Sequence, residues 1–190
     1  MTWVRSVPPE TATAPLSRVY ERIKAHAGRG RVSRIWQALG LDPPAAEATF
    51  ALRSALLDDP APLTAAQAEL IAVVVSAVNG CGYCVAHHGP HLADGLGDEA
   101  LARAVALDYR EANLAARDRV LLDYAVALTC EPGERKREDV ERVREYGFDD
   151  AAIVKATAIA SYYNAVNRIV SALGIEIEPG LEAWEFGEQR

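Results

Sequence analysis

The sequence has 190 residues, of which 50% are hydrophobic and 25% are charged, a balance that is typical of a globular protein and excludes a disordered one. A chain of this length buries enough surface to hold a core without a disulfide or a metal. The formal net charge of −7 argues against a nucleic-acid partner, since phosphate binding needs basic patches. No apolar run approaches the roughly 20 residues that span a bilayer, and the N-terminus lacks a signal-peptide core. We therefore expect a cytoplasmic protein without a membrane partner.

The chain is predicted to be all-α, with about eight helices. Only 7% of the residues are aromatic, and alanine is abundant, which favours helices over strands. We expect a helical N-terminal arm over 1–40, a helical core over 41–178 and an acidic C-terminal tail over 179–190. In chain order, the candidate helical segments are 17–27, 33–39, 44–57, 64–78, 82–92, 98–107, 115–128, 137–146 and 149–173.

Capping and turn residues set several of these boundaries. Thr64 is a predicted N-cap, Gln67 completes a capping box with it, and Asn79-Gly80 ends the same helix. Gly89-Pro90 should kink or break the helix that follows, because proline lacks an N–H group. The only strand candidate is 175–178, and it is very short.

Charge is distributed unevenly between the two ends of the chain. Residues 1–36 carry seven Lys or Arg and two Asp or Glu, which gives +5, whereas residues 174–190 carry five Glu and one Arg, which gives −4. An arm and a tail that meet would explain this pattern. We interpret the two ends instead as solvated segments, which is the commoner origin of a charge run.

The stretch over 69–91 holds two of the three cysteines and three of the four histidines. Cys81 and Cys84 form a Cys-x-x-Cys at a predicted helix start, where free N–H groups and the helix dipole favour a thiolate. This spacing lets the sulfurs approach to bonding distance within one turn, which predicts a reversible disulfide. His88 lies four residues after Cys84, on the same helical face, and can exchange a proton with its sulfur.

Glu69 is a candidate partner of His88 in an antiparallel helical hairpin. If the chain turns at Asn79-Gly80, Glu69 and His88 lie at nearly equal distances from the turn, with a mismatch of two residues or about 3 Å of rise. A carboxylate, an imidazole and the Cys84 thiol then form a proton path. The alternative is an ordinary carboxylate on a helix face that pairs with an arginine.

The combined spacing of Glu69, Cys81-Gly-Tyr-Cys84 and His88 resembles the signature of the alkyl hydroperoxidase D family, within the carboxymuconolactone decarboxylase-like superfamily. The longer stretch over 76–88 resembles the branch of peroxidase-related proteins. The resemblance covers roughly residues 30–178. Three further segments are similar to that branch: Asp123-Tyr124, Gly147-Phe148 and 163–168.

The resemblance implies an all-helical, oligomeric protein that reduces peroxides with thiols and needs no metal, haem or flavin. Cys84 matches the cysteine that becomes sulfenic acid, Cys81 its resolving partner, and His88 with Glu69 the proton relay. We expect Cys81 to lie nearer to solvent, where an external dithiol or a thioredoxin- or lipoyl-type reductant restores the pair. Tyr83 departs from the family pattern, which has a histidine at this position.

Two other functions remain open from the sequence. The first is a non-redox enzyme of the decarboxylase branch, although decarboxylases of the superfamily generally lack the cysteine pair. The second is a redox-sensing or metal-holding helical protein without turnover. Cys81, Cys84, His88 and His91 offer four possible zinc ligands, but Pro90 disturbs their register, so redox chemistry is favoured over a metal site.

The remaining polar residues have less specific interpretations. We interpret His87 and His91 as pocket-lining or surface residues, and Cys130 as a structural residue. The stripe of Asn164, Asn167 and Arg168 in the last long helix fits either a solvated face or a polar contact at a pocket or subunit interface.

Two apolar stretches predict self-association. Residues 70–78 and 156–170 supply more apolar helix surface than one thin helical layer covers. We therefore expect a homo-oligomer, and the family resemblance implies a dimer or a hexamer built from dimers.

Overall fold

The computed structural model describes residues 2–27 and 30–187, and in these ranges it contains nine α-helices and no β-strand. The predicted all-α fold is therefore confirmed. Residues 188–190 of the predicted acidic tail lie outside the described residues. The helices are α1 (Leu16–Ala27), α2 (Arg34–Leu39), α3 (Pro43–Leu57), α4 (Ala65–Val78), α5 (Gly82–Leu96), α6 (Glu99–Asp108), α7 (Ala116–Cys130), α8 (Arg137–Glu145) and α9 (Asp150–Ala172). None of the helices in the described ranges combines the length and the apolar character needed to cross a membrane.

Helix α4 is the centre of the molecule. It packs against α3, α5, α6, α7 and α9, and every residue over 70–78 is buried. A helix that is apolar on all sides belongs inside a core. The segment over 70–78 therefore leaves no apolar surface for self-association, because this chain buries it by itself, and the predicted homo-oligomer stays a prediction.

Both ends of α4 follow from its capping residues. At the start, the Gln67 N–H donates to Thr64 Oγ1 and the Thr64 N–H donates to Gln67 Oε1, each over 3.1 Å, which confirms the predicted capping box. At the end, Gly80 adopts a φ of 69°, which only glycine reaches without strain. The Cys81 N–H then donates to the carbonyl of Ser76 over 2.8 Å, closing a Schellman turn. This turn directs α5 back along α4.

Helix α5 continues through Pro90, so the predicted break is wrong. The helix runs to Leu96 and ends at Gly97, which has a φ of 64°. Proline removes one backbone donor, and packing of α5 between α4 and α6 holds the helix across that gap. Glycine is required at the neighbouring position 89 for a different reason, because a Cβ there would lie 2.5 Å from the Trp184 ring.

The two ends of the chain meet. After α9, residues 175–187 run back over the molecule without regular structure, and we call this segment the C-terminal strap. The Arg34 guanidinium donates to the carbonyls of Glu176 and Ile177 over 3.2 and 2.8 Å, and the Arg34 N–H donates to the Glu178 carboxylate over 2.7 Å. The interpretation of two solvated segments is therefore wrong, and the strand candidate at 175–178 belongs to the strap.

Candidate active site

A cavity of about 290 Å³ lies between α2, α3, α5 and α9. Helix α5 gives it most of the side chains that can exchange protons or electrons: Tyr83, Cys84, His87, His88 and His91. The facing walls are largely aromatic and come from three helices: Trp36, Phe50, Tyr162 and Tyr163. Residues of the predicted N-terminal arm therefore help to enclose the same space as the predicted helical core.

The two cysteines lie side by side at the start of α5. Cys81 is the N-cap residue and Cys84 lies in the first turn, with their sulfurs 3.1 Å apart as free thiols. Their exposed fractions are only 2% and 3%, so Cys81 is not the more accessible sulfur, contrary to expectation. Cys84 lines the cavity and Cys81 does not, which makes Cys84 the sulfur that a bound molecule meets first.

The pKa values of the two cysteines are shifted in opposite directions. A hydrogen bond from the Cys84 thiol lowers the pKa of Cys81 despite burial, and the Asn167 side chain and the amides of the first turn of α5 act in the same direction. The same bond to Cys81, together with full burial, raises the pKa of Cys84 well above its ordinary value. Cys81 is therefore the sulfur of the pair that ionises first, and the Cys84 thiol is the donor to its thiolate.

Glu69 and His88 form the predicted pair across the α4–α5 hairpin. Glu69 Oε2 lies 2.8 Å from His88 Nδ1, with both side chains about 15% exposed. The interpretation of Glu69 as a surface carboxylate paired with an arginine does not describe this contact. The Tyr163 hydroxyl lies 3.0 Å from His88 Nε2 and 3.2 Å from Nδ1. If Glu69 accepts the Nδ1 proton, Nε2 is the acceptor for Tyr163, so both nitrogens of His88 are engaged.

The charge state of Glu69 results from two opposing effects. Burial disfavours the carboxylate, but His88 outweighs it through its hydrogen bond and, when protonated, its charge, with smaller contributions from His91 and Arg53, so that the pKa of Glu69 lies below its ordinary value. Glu69 is therefore a carboxylate at neutral pH. In the described part of the chain, the Cys84 sulfur has no hydrogen bond to His88, so the expected direct contact between them is not formed.

A polar network underlies the cysteine pair. Asn167 is only 1% exposed, and its amide donates to Ser76 Oγ over 3.1 Å. Asn79 donates to the side-chain oxygens of Asn167 and Asn164 over 3.0 and 3.1 Å. The asparagines of the predicted stripe are therefore part of the site's support and not a solvated face. Arg168 is exposed and donates to Asn164.

Glu178 is the residue of the site that the sequence did not indicate. Its Oε1 accepts from the Tyr83 hydroxyl over 2.8 Å, and its Oε2 lies 2.8 Å from His87 Nε2. Burial disfavours its ionisation, but the bonds from His87 and from the Arg34 N–H lower the pKa of Glu178 to about 2. Its position in the acidic stretch over 174–190 was the only available signal, and that signal does not identify a partner.

His91 and Cys130 are the remaining candidate residues of the sequence. His91 lines the cavity, with its ring centroid 6.2 Å from that of His88. Over residues 2–27 and 30–187, no three His, Cys, Asp or Glu side chains converge in a geometry that holds a metal ion. Cys130 is exposed at the end of α7, so a structural role in the core does not apply to it.

Comparison with known proteins points to one superfamily. The model of the carboxymuconolactone decarboxylase family matches residues 43–108, which include α4, α5 and the site residues that they carry. No curated protein matches the sequence of the chain. Similarity to solved structures is much more extensive and covers nearly the whole fold.

Two of these structures are peroxidase-related proteins. An uncharacterized protein from Ralstonia eutropha JMP134, described as an alkylhydroperoxidase AhpD core, is 26% identical with a TM-score of 0.86, over 94% of this chain and 93% of that one. An uncharacterized peroxidase-related protein from Silicibacter sp. TM1040 is 29% identical with a TM-score of 0.83, over 95% and 93%.

A third similar structure has a different activity. A cysteine-to-alanine variant of the debrominase Bmp8, in complex with 2,3,4-tribromopyrrole, is 18% identical with a TM-score of 0.77, over 93% of this chain and 92% of that one. This degree of identity shows a shared fold alone. The fold therefore supports activities other than the reduction of peroxides, and the chemistry of this chain has to be argued from its own residues.

Proposed function

We infer that this chain is an alkyl hydroperoxidase D-like protein of the carboxymuconolactone decarboxylase superfamily, and on that premise we propose that it is a thiol-dependent peroxidase. The observation that carries the proposal is the position of Cys84. Its sulfur lines a cavity large enough for a substrate, 3.1 Å from a second cysteine. Glu69 and His88 form a proton-accepting pair beside the same cavity.

The first step is the oxidation of Cys84. Its proton passes to the Cys81 thiolate, which is 3.1 Å away, and the Cys84 sulfur attacks the O–O bond of a hydroperoxide. An S–O bond forms and the O–O bond breaks, so that Cys84 becomes a sulfenic acid, and the departing hydroxide or alkoxide takes up a proton to leave as water or an alcohol. The Glu69–His88 pair then takes the proton from Cys81 and regenerates its thiolate.

The second step is the formation of a disulfide. The Cys81 thiolate attacks the sulfenic sulfur, an S–S bond forms, and hydroxide leaves and is protonated to water. An external dithiol, or a protein reductant of the thioredoxin or lipoyl type, returns both cysteines to thiols. The cycle uses only these side chains and needs no metal, haem or flavin.

The cavity favours an organic hydroperoxide over hydrogen peroxide. Its volume of about 290 Å³ lies near the lower end of the roughly 300–1,000 Å³ of small-molecule sites, and a water-sized molecule occupies only about 30 Å³. Apolar side chains such as Ile23, Phe50 and Val166 line part of it. An alkyl or aryl group fills this space, whereas hydrogen peroxide leaves most of it to water.

We propose in addition a cytoplasmic homo-oligomer, either a dimer or a hexamer built from dimers. An apolar groove between α3 and α9 supports this proposal, since it includes Ala158, Ala165 and the 49%-exposed Leu52. Light scattering at micromolar concentration tests the oligomeric state. The single-chain mass in that measurement contradicts the proposal.

A peroxide-consumption assay tests the proposed activity. Reduced protein, an organic hydroperoxide and dithiothreitol are combined, and the parent is compared with Cys81→Ser, Cys84→Ser and the exposed-cysteine control Cys130→Ser. We expect turnover by the parent and the control only. A disulfide that forms without turnover favours a redox sensor, and a non-redox activity that survives the loss of both cysteines favours an enzyme of the decarboxylase branch.

A further inference from the structure

Two carboxylate–histidine pairs flank Cys84 on the same cavity wall. One is Glu69 with His88, and the other is Glu178 with His87, each with a contact of 2.8 Å. The two histidines lie three and four residues after Cys84 in α5, so both project on its side of the helix, and all three residues line the cavity. The proposed cycle has so far used only the first pair.

The two histidines differ in how many of their ring nitrogens have a hydrogen-bond partner. His88 has a partner at each nitrogen, since Nδ1 contacts Glu69 and Nε2 lies 3.0 Å from the Tyr163 hydroxyl. His87 contacts Glu178 through Nε2, and its Nδ1 has no hydrogen-bond partner within residues 2–27 and 30–187. His87 is therefore the histidine whose ring has a nitrogen left for a bound molecule.

Peroxide cleavage needs protons to move in two directions. The attacking sulfur must lose a proton, while the departing oxygen must gain one unless it is already a weak base. A single histidine engaged at both nitrogens serves poorly as acceptor and donor in the same event. A second imidazole on the wall of the same cavity separates the two tasks.

We propose that His87 is the catalytic acid that protonates the departing oxygen of the peroxide, and that Glu178 is the positioning residue that orients its ring. This inference rests on the proposed peroxidase function. In this scheme, Glu69 and His88 accept the proton of the cysteine pair. Glu178 and His87 supply the proton that the leaving group needs.

The step balances as follows. The Cys84 thiolate attacks the hydroxyl oxygen of R–O–O–H, an S–O bond forms, and the O–O electron pair departs on RO⁻. The imidazolium of His87 gives its proton to RO⁻, which leaves as ROH. Cys84 is oxidised by two electrons to a sulfenic acid, the peroxide is reduced by two, and His87 regains its proton from solvent.

The strap is built to hold Glu178 in this role. Its Oε1 accepts from the Tyr83 hydroxyl over 2.8 Å and from the Arg34 N–H over 2.7 Å, which leaves Oε2 to His87. The Glu178 side chain is only 10% exposed, so water does not compete freely for it. A carboxylate fixed by two donors restricts the rotation of the imidazole that it binds.

The basicity of the leaving oxygen provides the test. tert-Butyl hydroperoxide releases a strongly basic alkoxide that needs a proton, whereas peracetic acid releases acetate, which needs none. Reduced protein is mixed with an excess of each oxidant in single-turnover rapid-quench experiments, and the loss of thiols is followed in the parent, His87→Gln, Glu178→Gln and His88→Gln. Glu182→Gln is the control, because this strap carboxylate is exposed and pairs with Arg103 on the surface.

We expect His87→Gln to slow the reaction with tert-butyl hydroperoxide by about 10²-fold or more, and the reaction with peracetic acid only by a few-fold. Glu178→Gln should show a weaker version of the same selectivity. His88→Gln should slow both oxidants alike, and Glu182→Gln neither. Equal losses for both oxidants in His87→Gln overturn this inference alone. A parent that reacts with neither oxidant overturns the proposed function and the inference with it.

Discussion

The pKa of Cys81 depends both on its hydrogen bond with the Cys84 thiol and on its burial. Two substitutions of Cys84 separate these two effects. Cys84→Ala removes the donor that lies 3.1 Å from the Cys81 sulfur. Cys84→Ser keeps an O–H donor in nearly the same place. Both variants leave Cys81 buried at the start of α5, so its desolvation is nearly unchanged in each.

The size of the effect follows from the hydrogen bond that is lost. A hydrogen bond to a charged group contributes about 1.5–3 kcal/mol, and one pKa unit corresponds to about 1.4 kcal/mol. Cys84→Ala should therefore raise the pKa of Cys81. Where the pH lies below that pKa, loss of this bond lowers the thiolate fraction about 10- to 100-fold, whereas Cys84→Ser produces a much smaller rise in the pKa.

The assay is the rate of alkylation of Cys81 by iodoacetamide as a function of pH. All variants carry Cys130→Ser, because Cys130 is exposed and would react as well. Peptide mass spectrometry assigns the label to Cys81. An unchanged pKa in Cys84→Ala, or equal rises in the alanine and serine variants, would refute the assignment of the Cys84 thiol as the donor to the Cys81 thiolate.

Three further predictions concern the site and its support. Glu69→Gln should keep the thermal stability of the parent but slow peroxide turnover by about 10²–10⁴-fold, measured by peroxide consumption, because it removes the base and preserves the shape. Gly89→Ala should cost about 1–3 kcal/mol in urea unfolding, since its Cβ would meet the Trp184 ring at 2.5 Å, whereas Gly133→Ala, with open space around it, should be close to neutral. The pKa of Glu178 is about 2 when folded and about 4.3 when unfolded, so it stabilises the fold above pH 4.3 or so, and this contribution, on the order of 2–3 kcal/mol, disappears as the pH falls towards 2. Urea unfolding across this pH window should therefore depend less on pH in Glu178→Gln than in the parent.

The sequence was most informative where the interactions are local. The capping box of Thr64 and Gln67 and the turn at Gly80 depend on residues a few positions apart, and the structure contains both. The α4–α5 hairpin follows from that turn. The contact between Glu69 and His88 follows in turn from counting residues on either side of it.

Contacts over long sequence distances were not predictable in the same way. Glu178 reaches His87 across 91 residues, and no local pattern connects one carboxylate of the acidic stretch over 174–190 to one histidine. Tyr163 and Asn167 belonged to a segment with recognisable family similarity, but their partners depend on how α9 packs against α4 and α5. The prediction of a helix break at Pro90 was wrong for a related reason, because the packing of α5 outweighed the local tendency of proline to end a helix.

The most direct test of the central claim is to identify the sulfur that first meets the peroxide. Cys81→Ser and Cys84→Ser are each treated with one equivalent of tert-butyl hydroperoxide and then with dimedone, and the label is assigned by peptide mass spectrometry. We predict a sulfenic-acid adduct on Cys84 in Cys81→Ser and little label on Cys81 in Cys84→Ser, because only Cys84 lines the cavity. Labelling of Cys81 in Cys84→Ser, with none on Cys84 in Cys81→Ser, would contradict the account.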